Sequence, residues 1–159
     1  MSRSSRIKKR SIPSDPVYNS RLVTRLVNRV MQSGKKQIAF KLVYQALEDA
    51  GEQLKQKPLE VIRRALDNIK PNMEVRPRRV GGAAYQVPMP IKGDRRTSLS
   101  LRWLVEAARK RPNKDYPNFA KKLTAEIVDA YNRTGGAIKK KEDVHRMAEA
   151  NKAFSHFRW

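Results

Sequence analysis

From Ser20 to Met31 the apolar residues Leu22, Val23, Leu26, Val27, Val30 and Met31 recur at spacings of three and four. That period lines them along one stripe of an α-helix. Ser20 is its expected N-cap, Gly34 its stop, and Asp15-Pro16 a turn upstream. Lys35 and Lys36 open a second helix, with Ile38, Ala39, Leu42, Val43, Ala46, Leu47 and Leu54 on one face. Pro58 suits the first position of a third helix, whose stripe is Leu59, Ile62, Ala65, Leu66 and Ile69 and which Pro71 ends. Asp94 or Thr97 caps a fourth, running to about Lys110. Its apolar residues Leu101, Trp103, Leu104, Val105, Ala107 and Ala108 cover more than one stripe, which places it near the bundle centre. A loop with two prolines spans Pro112 to Asn118. A fifth helix then carries Phe119, Ala120, Leu123, Ile127, Val128 and Tyr131, ended by Gly135-Gly136. The sixth runs from about Lys139 to Phe154 with Val144, Met147, Ala148 and Phe154.

Between the third and fourth helices the pattern changes. Met73 to Ile91 reads MEVRPRRVGGAAYQVPMPI, two extended runs around Gly81-Gly82. Paired glycines between such runs predict a hairpin tip. A regular pleat puts Arg76 and Arg78 on one face and Arg79 on the other. Tyr85 either stacks on a base or packs across the ribbon. Pro88 and Pro90 lack the N–H for a ladder, so they suit a strand with a free edge and discourage edge-to-edge aggregation. The fold expected is mainly α: about six helices, antiparallel where connections are short, with one protruding two-stranded antiparallel β-hairpin. A disordered basic arm over 1–14 precedes one helical domain over 15–159, with the hairpin arm at about 73–91.

Charge changes the picture most. The 159 residues hold 36 Lys+Arg against 15 Asp+Glu, a net charge of +21, and 39% are hydrophobic. That apolar share falls below the ~45–50% of an average globular domain, so surface is favoured over core, and the surface is basic. Polyphosphate is the natural partner, because neutralising it releases counterions; a membrane surface is the weaker alternative. No apolar run approaches the ~20 residues of a membrane span. With no cysteine, disulfides and thiolate metal sites are excluded, and the compartment stays open. The start, MSRSSRIKKRSIP, lacks the apolar core of a secretory signal and only mimics a transit peptide.

The candidate contacts follow the cations. Arg3, Arg6, Lys8, Lys9 and Arg10 form an arm with no acid before Asp15; its bland reading is a solvated tail. Arg76, Arg78 and Arg79 flank the hairpin tip, where the planar guanidinium suits bidentate phosphate contact. Arg95, Arg96, Arg102, Arg109, Lys110 and Arg111 give the fourth helix a basic face. Lys139, Lys140 and Lys141 sit near the start of the sixth helix, where the macrodipole disfavours cations by ~0.3–1 kcal/mol each. Catalysis finds no support: there is no GxSxG, P-loop, GxGxxG or HExxH. His145 and His156, the only histidines, stand eleven apart without a third ligand, and Asp143 and Glu149 beside His145 read as surface pairs. No enzyme activity, metal or cofactor is expected. A DNA-compacting protein is the main rival, although no helix-turn-helix is recognisable; a metal-dependent nuclease would need clustered carboxylates.

LVNRVM with GKK across Leu26 to Lys36, RRVGGAAYQVP at Arg78 to Pro88, LRWLVEAARKR at Leu101 to Arg111 and KKKEDVHRMAEANKAFSHFRW at Lys139 to Trp159 occur in this order. Together with Asp15-Pro16, they resemble the family of small-subunit ribosomal protein seven, of bacterial and organellar type, over nearly the whole chain. The resemblance implies a primary rRNA binder that helps nucleate assembly of the subunit head from the 3′ major domain. It implies a seat at the subunit interface near mRNA and the exit-site tRNA, beside small-subunit proteins nine and eleven, with no membrane partner and no homo-oligomer. By that resemblance rRNA contacts fall on the basic arm, Lys35-Lys36, the hairpin arginines and the fourth-helix cations. The hairpin, with Arg76, Arg78, Arg79, Gly81, Gly82 and Tyr85, lies near mRNA and tRNA. The loop from Arg111 to Lys122 looks about three residues longer than usual, which tilts the expected setting from a bacterial ribosome toward a plastid one.

Overall fold

The computed structural model describes residues 11–157, and of Val80 the backbone alone. The basic stretch from Arg3 to Arg10 lies outside the described residues. Six α-helices and one hairpin follow in order: α1 Arg21–Val30, α2 Lys36–Leu54, α3 Pro58–Ile69, β1 Met73–Val80, β2 Ala83–Pro90, α4 Asp94–Lys110, α5 Phe119–Tyr131 and α6 Gly136–Ala150. A 3₁₀ helix, Lys152–Phe157, closes the described chain.

The apolar stripes meet in one cluster drawn from all six helices. Leu26, Leu47, Ile62, Leu66, Leu104, Leu123 and Ile127 are fully buried in it. The centre is shared between two helices: α5 packs on α2, α3, α4 and α6, and α4 packs on α1, α3, α5 and α6. Pro58 stands at the start of α3 as expected. Gly51, inside α2, is needed for close approach: a Cβ there would lie 3.0 Å from both the Gln56 carbonyl oxygen and Pro58 Cγ.

Asp15 does more than turn the chain. It is 2% exposed, and its carboxylate accepts the Val17 and Tyr18 amides at 3.1 and 2.9 Å and the Tyr44 hydroxyl at 2.6 Å. The strap before α1 is thereby fastened to α2. Ser20 occupies the N-cap position, but its hydroxyl makes no capping bond; its carbonyl instead accepts the Asp15 and Thr24 amides.

Several boundaries differ from expectation. Helix α1 stops at Val30 with extended Met31, before Gly34, whose φ of +74° serves the turn that follows. Neither Asp94 nor Thr97 caps α4: the cap position is Gly93, and Asp94 lies in the first turn. Gly135 and Gly136 open α6 rather than end α5, which stops at Tyr131. A Cβ on Gly135 would sit 2.9 Å from that of Asp129. Lys139 to Lys141 therefore lie beyond the first three helical positions, where the macrodipole acts less. Phe154 belongs to the 3₁₀ helix rather than to α6. Ile38 and Met147, expected on buried faces, are 54% and 47% exposed.

The hairpin pairs Met73 with Pro90 through Val80 with Ala83. Gly81 and Gly82 both have positive φ, +58° and +90°, as a two-residue type I′ turn demands. Such a turn makes Val80–Ala83 a hydrogen-bonded pair, and bonded pairs then alternate along the ladder. Pro77, Pro88 and Pro90 all fall on non-bonded pairs, opposite Gln86, Val75 and Met73, so no ladder hydrogen bond is lost to a proline. The face bearing Glu74, Arg76, Arg78, Tyr85 and Val87 follows the expected alternation. Tyr85 packs, with its ring 5.2 and 5.4 Å from those of Phe154 and Phe157.

Side chains from β1, α4 and α6 clamp the hairpin base. Arg95 donates to both oxygens of Glu74, a residue 8% exposed, and Arg76 donates to one of them. Burial acts to raise the Glu74 carboxyl, but the two guanidiniums outweigh it and hold it below the ordinary carboxylate range. Arg96 donates to the Pro71 carbonyl and to Asn72 Oδ1. From α6, Lys141 donates to the Asn68 carbonyl at 2.7 Å, and His145 Nε2 accepts the Asn72 amide at 3.0 Å.

That last bond requires a neutral imidazole. Burial first, and Lys141 second, lower the His145 pKa below its ordinary 6.5. A depressed histidine pKa means that the unfolded chain binds the proton more readily. The contribution of His145 to stability is thus complete above about pH 6.5 and is lost as pH falls through the folded value. The protection factor of the Asn72 amide, which corrects for the intrinsic slowing of exchange at lower pH, is expected to fall as pH drops from 7 to 5, and to lose that dependence in His145→Gln. Asn72 exchange that tracks only the intrinsic trend would refute the clamp.

Candidate nucleic-acid interface

The cations separate into committed and spare groups. Arg95, Arg96, Arg76 and Lys141 hold the hairpin base, as described above. Arg109 donates to the Val30 carbonyl at 3.2 Å, satisfying an open carbonyl at the end of α1. Arg111 is a core ion pair: it donates to Glu126 Oε2 through Nε at 2.8 Å and Nη2 at 2.7 Å, and it also meets Asp129. The Arg111 and Glu126 side chains are 16% and 2% exposed. Glu126 Oε1 also accepts the Ala137 amide at 2.8 Å, joining α5 to the start of α6.

Lys35, Arg78, Arg79, Arg102, Lys110, Lys139 and Lys140 have no side-chain hydrogen bond or ion pair among the described residues. Lys36 lies 5.5 Å from the Phe40 ring centre. Arg95, Ser98, Arg102 and Arg109 recur along one side of α4 at spacings of three, four and seven, which share a helical face. Facing them is α1, whose Arg21, Arg25 and Arg29 form a second stripe at a spacing of four. The sequence reading missed this stripe, although its period was visible. Arg25 pairs with Asp94 at 3.1 Å across the two helices.

Two concavities lie along this face. A groove of about 460 Å³ between α1 and α4 is lined by Ile12, Arg25, Asn28, Arg29, Asp94, Ser98 and Leu101, with Asp94 already paired to Arg25. Ile12 brings the chain from the N-terminal arm into it. A recess of about 260 Å³ beyond Val30 combines apolar Met31, Ile38, Leu42 and Phe119 with Lys35 and Arg109. The exposed Ile38 is thus one wall of an apolar hollow edged by cations and free of carboxylates. Such a hollow can take an unstacked base while the cations hold its phosphate. Three further acids, Asp49, Asp115 and Asp129, line a separate cleft between α2 and α5. Among the described residues no group of three His, Cys, Asp or Glu is placed to hold a metal ion, and no helix is long and apolar enough to cross a membrane.

A rigid helical body with spare cations along one side and an arginine-tipped ribbon defines a polyanion-binding scaffold. Residues 2–152 match the model of the family described as ribosomal protein S7p/S5e, and the chain belongs to that family. It is 59% identical over 150 residues to the small ribosomal subunit protein uS7 of Thermosipho africanus, covering 94% of this chain and 95% of that one. The uS7 protein of Caldicellulosiruptor saccharolyticus is 57% identical over 159 residues, all of both chains. That of Thermotoga maritima is 58% identical over 154 residues, 97% of each. These relatives are bacterial, and the full-length match gives the plastid expectation no support.

Substitution should separate committed from spare cations. Arg111→Ala leaves Glu126 buried without its cation, and breaking a buried pair costs about 3 kcal/mol or more. Chemical denaturation of this variant should show that loss. Arg102→Ala should unfold like the parent and bind RNA more weakly. Equal stability for the two variants would contradict the assignment.

Proposed function

We propose that this protein is a non-catalytic, rRNA-binding structural constituent of the small ribosomal subunit, working in translation within bacterial-type ribosomes. Its family membership supports this reading, and the observation that carries it to an interface is the set of cations with no side-chain hydrogen bond or ion pair among the described residues, Arg21 and Arg29 on α1, Lys35 before α2, and Arg102 and Lys110 on α4, interspersed with the paired Arg25 and Arg109. A protein that needed these charges only for its own fold would pair them, as it pairs Arg76, Arg95 and Arg111.

The finer reading has the protein bind early to the 3′ major domain and help nucleate the subunit head. The helical body offers the groove and the apolar recess where several RNA helices converge. Lys35, Lys36, Arg102, Lys110, Lys139 and Lys140 neutralise phosphates, joined by the arm from Arg3 to Arg10. The hairpin tip, with Arg78, Arg79, Gly81 and Gly82, reaches toward mRNA and the exit-site tRNA. Small-subunit proteins nine and eleven are its protein neighbours. A-form major grooves admit side chains poorly, so specificity comes from RNA shape and from unpaired nucleotides.

Six such phosphate contacts give a log–log dependence of affinity on salt with a slope of about −4 to −5. Filter binding of a small-subunit rRNA fragment across salt concentrations, with duplex DNA as competitor, measures both slope and preference. A flat salt response, or equal competition by the duplex, would overturn the reading.

A further inference from the structure

We propose that the hollow bounded by the α1–α2 turn, the end of α4 and the start of α5 receives one unpaired base of the bound rRNA, with Phe119 as its stacking platform, Ile38 as an apolar wall and Gln32 at its edge. The inference rests on the RNA-binding reading above and deepens it by naming the part of the RNA taken and the aromatic that takes it.

A single exposed aliphatic side chain on a surface means little. Ile38, 54% exposed, does not stand alone. It shares a hollow of about 260 Å³ with Met31, Leu42 and Phe119, apolar side chains that the fold buries only in part. Phe119 is the first residue of α5, and it makes no contact with another ring or with a cation among the described residues. Phe40, Tyr85 and Tyr131 all find such partners. A half-open aromatic in an apolar hollow is the kind of platform on which splayed bases stack.

The mouth of the hollow selects a nucleotide over an apolar side chain of a protein. No carboxylate lines it, whereas Lys35 and Arg109 do. Lys35 has no side-chain partner among the described residues, and Arg109 uses only one guanidinium nitrogen on the Val30 carbonyl. Gln32, also on the lining, makes no side-chain hydrogen bond among the described residues. Its amide offers both donor and acceptor, as a base edge requires. The turn holds these groups together. Ser33 and Gly34 have φ of +50° and +74°, and the Lys35 amide donates to the Gln32 carbonyl at 3.0 Å. A turn of this kind brings its first and last residues within ~7 Å, so a base that meets Gln32 has its phosphate near Lys35. The hollow also ends the cationic side of the protein, since Arg109 follows Arg102 by seven residues along α4. A base inside a duplex is covered on both faces and enters a pocket only once it leaves the stack, so the occupant is unpaired.

Phe119→Leu keeps the hollow apolar and removes the stack. It should weaken binding of a small-subunit rRNA fragment about tenfold at every salt concentration, with the slope of log affinity against log salt unchanged, because no charge is lost. Phe119→Trp should restore the parent's affinity. Ile38→Ser, at a position exposed enough to spare the fold, should also weaken binding with an unchanged slope. Lys35→Gln should instead make the slope shallower by about 0.7–0.9. In assembled small subunits, photoreactive p-benzoylphenylalanine in place of Ile38 should crosslink to rRNA. Parent-like affinity in both Phe119→Leu and Ile38→Ser would overturn the proposal and leave the RNA-binding reading standing. A loss of affinity that comes with a shallower slope in those two variants would do the same, as would a crosslink that goes to a ribosomal protein. A parent chain that does not bind the fragment would overturn both.

Discussion

The structure depends on how few carboxylates manage so many cations. With +21 net charge, self-repulsion opposes the compact state at every step. Three buried acids answer it at three joints. Glu74 draws Arg76 and Arg95 together where the hairpin leaves the helical body. Glu126 holds Arg111 and the first turn of α6. Asp15 fastens the chain before α1 to Tyr44 on α2. Each acid joins segments distant in sequence and so fixes a direction; Glu74 and Glu126 also neutralise arginines, whereas Asp15 accepts from two amides and a tyrosine hydroxyl. The Glu74 joint matters most for function, because it aims the ribbon that carries the spare arginines.

Committing some cations to the fold leaves the others where RNA can reach them. Arg109 and Arg102 lie seven residues apart on the same side of α4, yet one closes the end of α1 while the other faces solvent. Arg96 and Lys141 donate to the main chain at the hairpin root, whereas Arg78 and Arg79 near the tip have no such partner among the described residues. A basic stretch in this chain is thus a mixture, and position along a helix decides membership less than distance to a buried acceptor does.

The helices, their apolar stripes and the hairpin were legible in the sequence because periodicity and paired glycines report backbone geometry directly. The resemblance to the ribosomal family was legible from long ordered strings. What stayed hidden was which cations find internal partners. Arg95, Arg96 and Arg111 look like any exposed arginines until the hairpin root and α5 are folded against them. The start of α6 was misjudged for a related reason: Gly135-Gly136 can end one helix or open the next, and Glu126, far upstream, decides it by accepting the Ala137 amide. Ile38 follows the apolar period of α2 yet stands exposed, because the α1–α2 turn leaves a hollow beside it.

The hairpin shows how such a scaffold prepares for binding. Two strands alone are marginal in water, and a loose ribbon would lose much of its conformational freedom on meeting RNA. Here Val87 is buried, Tyr85 packs on Phe154 and Phe157 of the 3₁₀ helix, and the root is clamped from α4 and α6. The ribbon is thus held along most of its length, from Met73 and Pro90 up to Arg78 and Tyr85. Beyond that pair only Arg79, Val80, the two glycines and two alanines remain. The conformational cost of placing Arg78 and Arg79 is therefore met largely during folding, and the small residues at the tip let the backbone come close to whatever the arginines face.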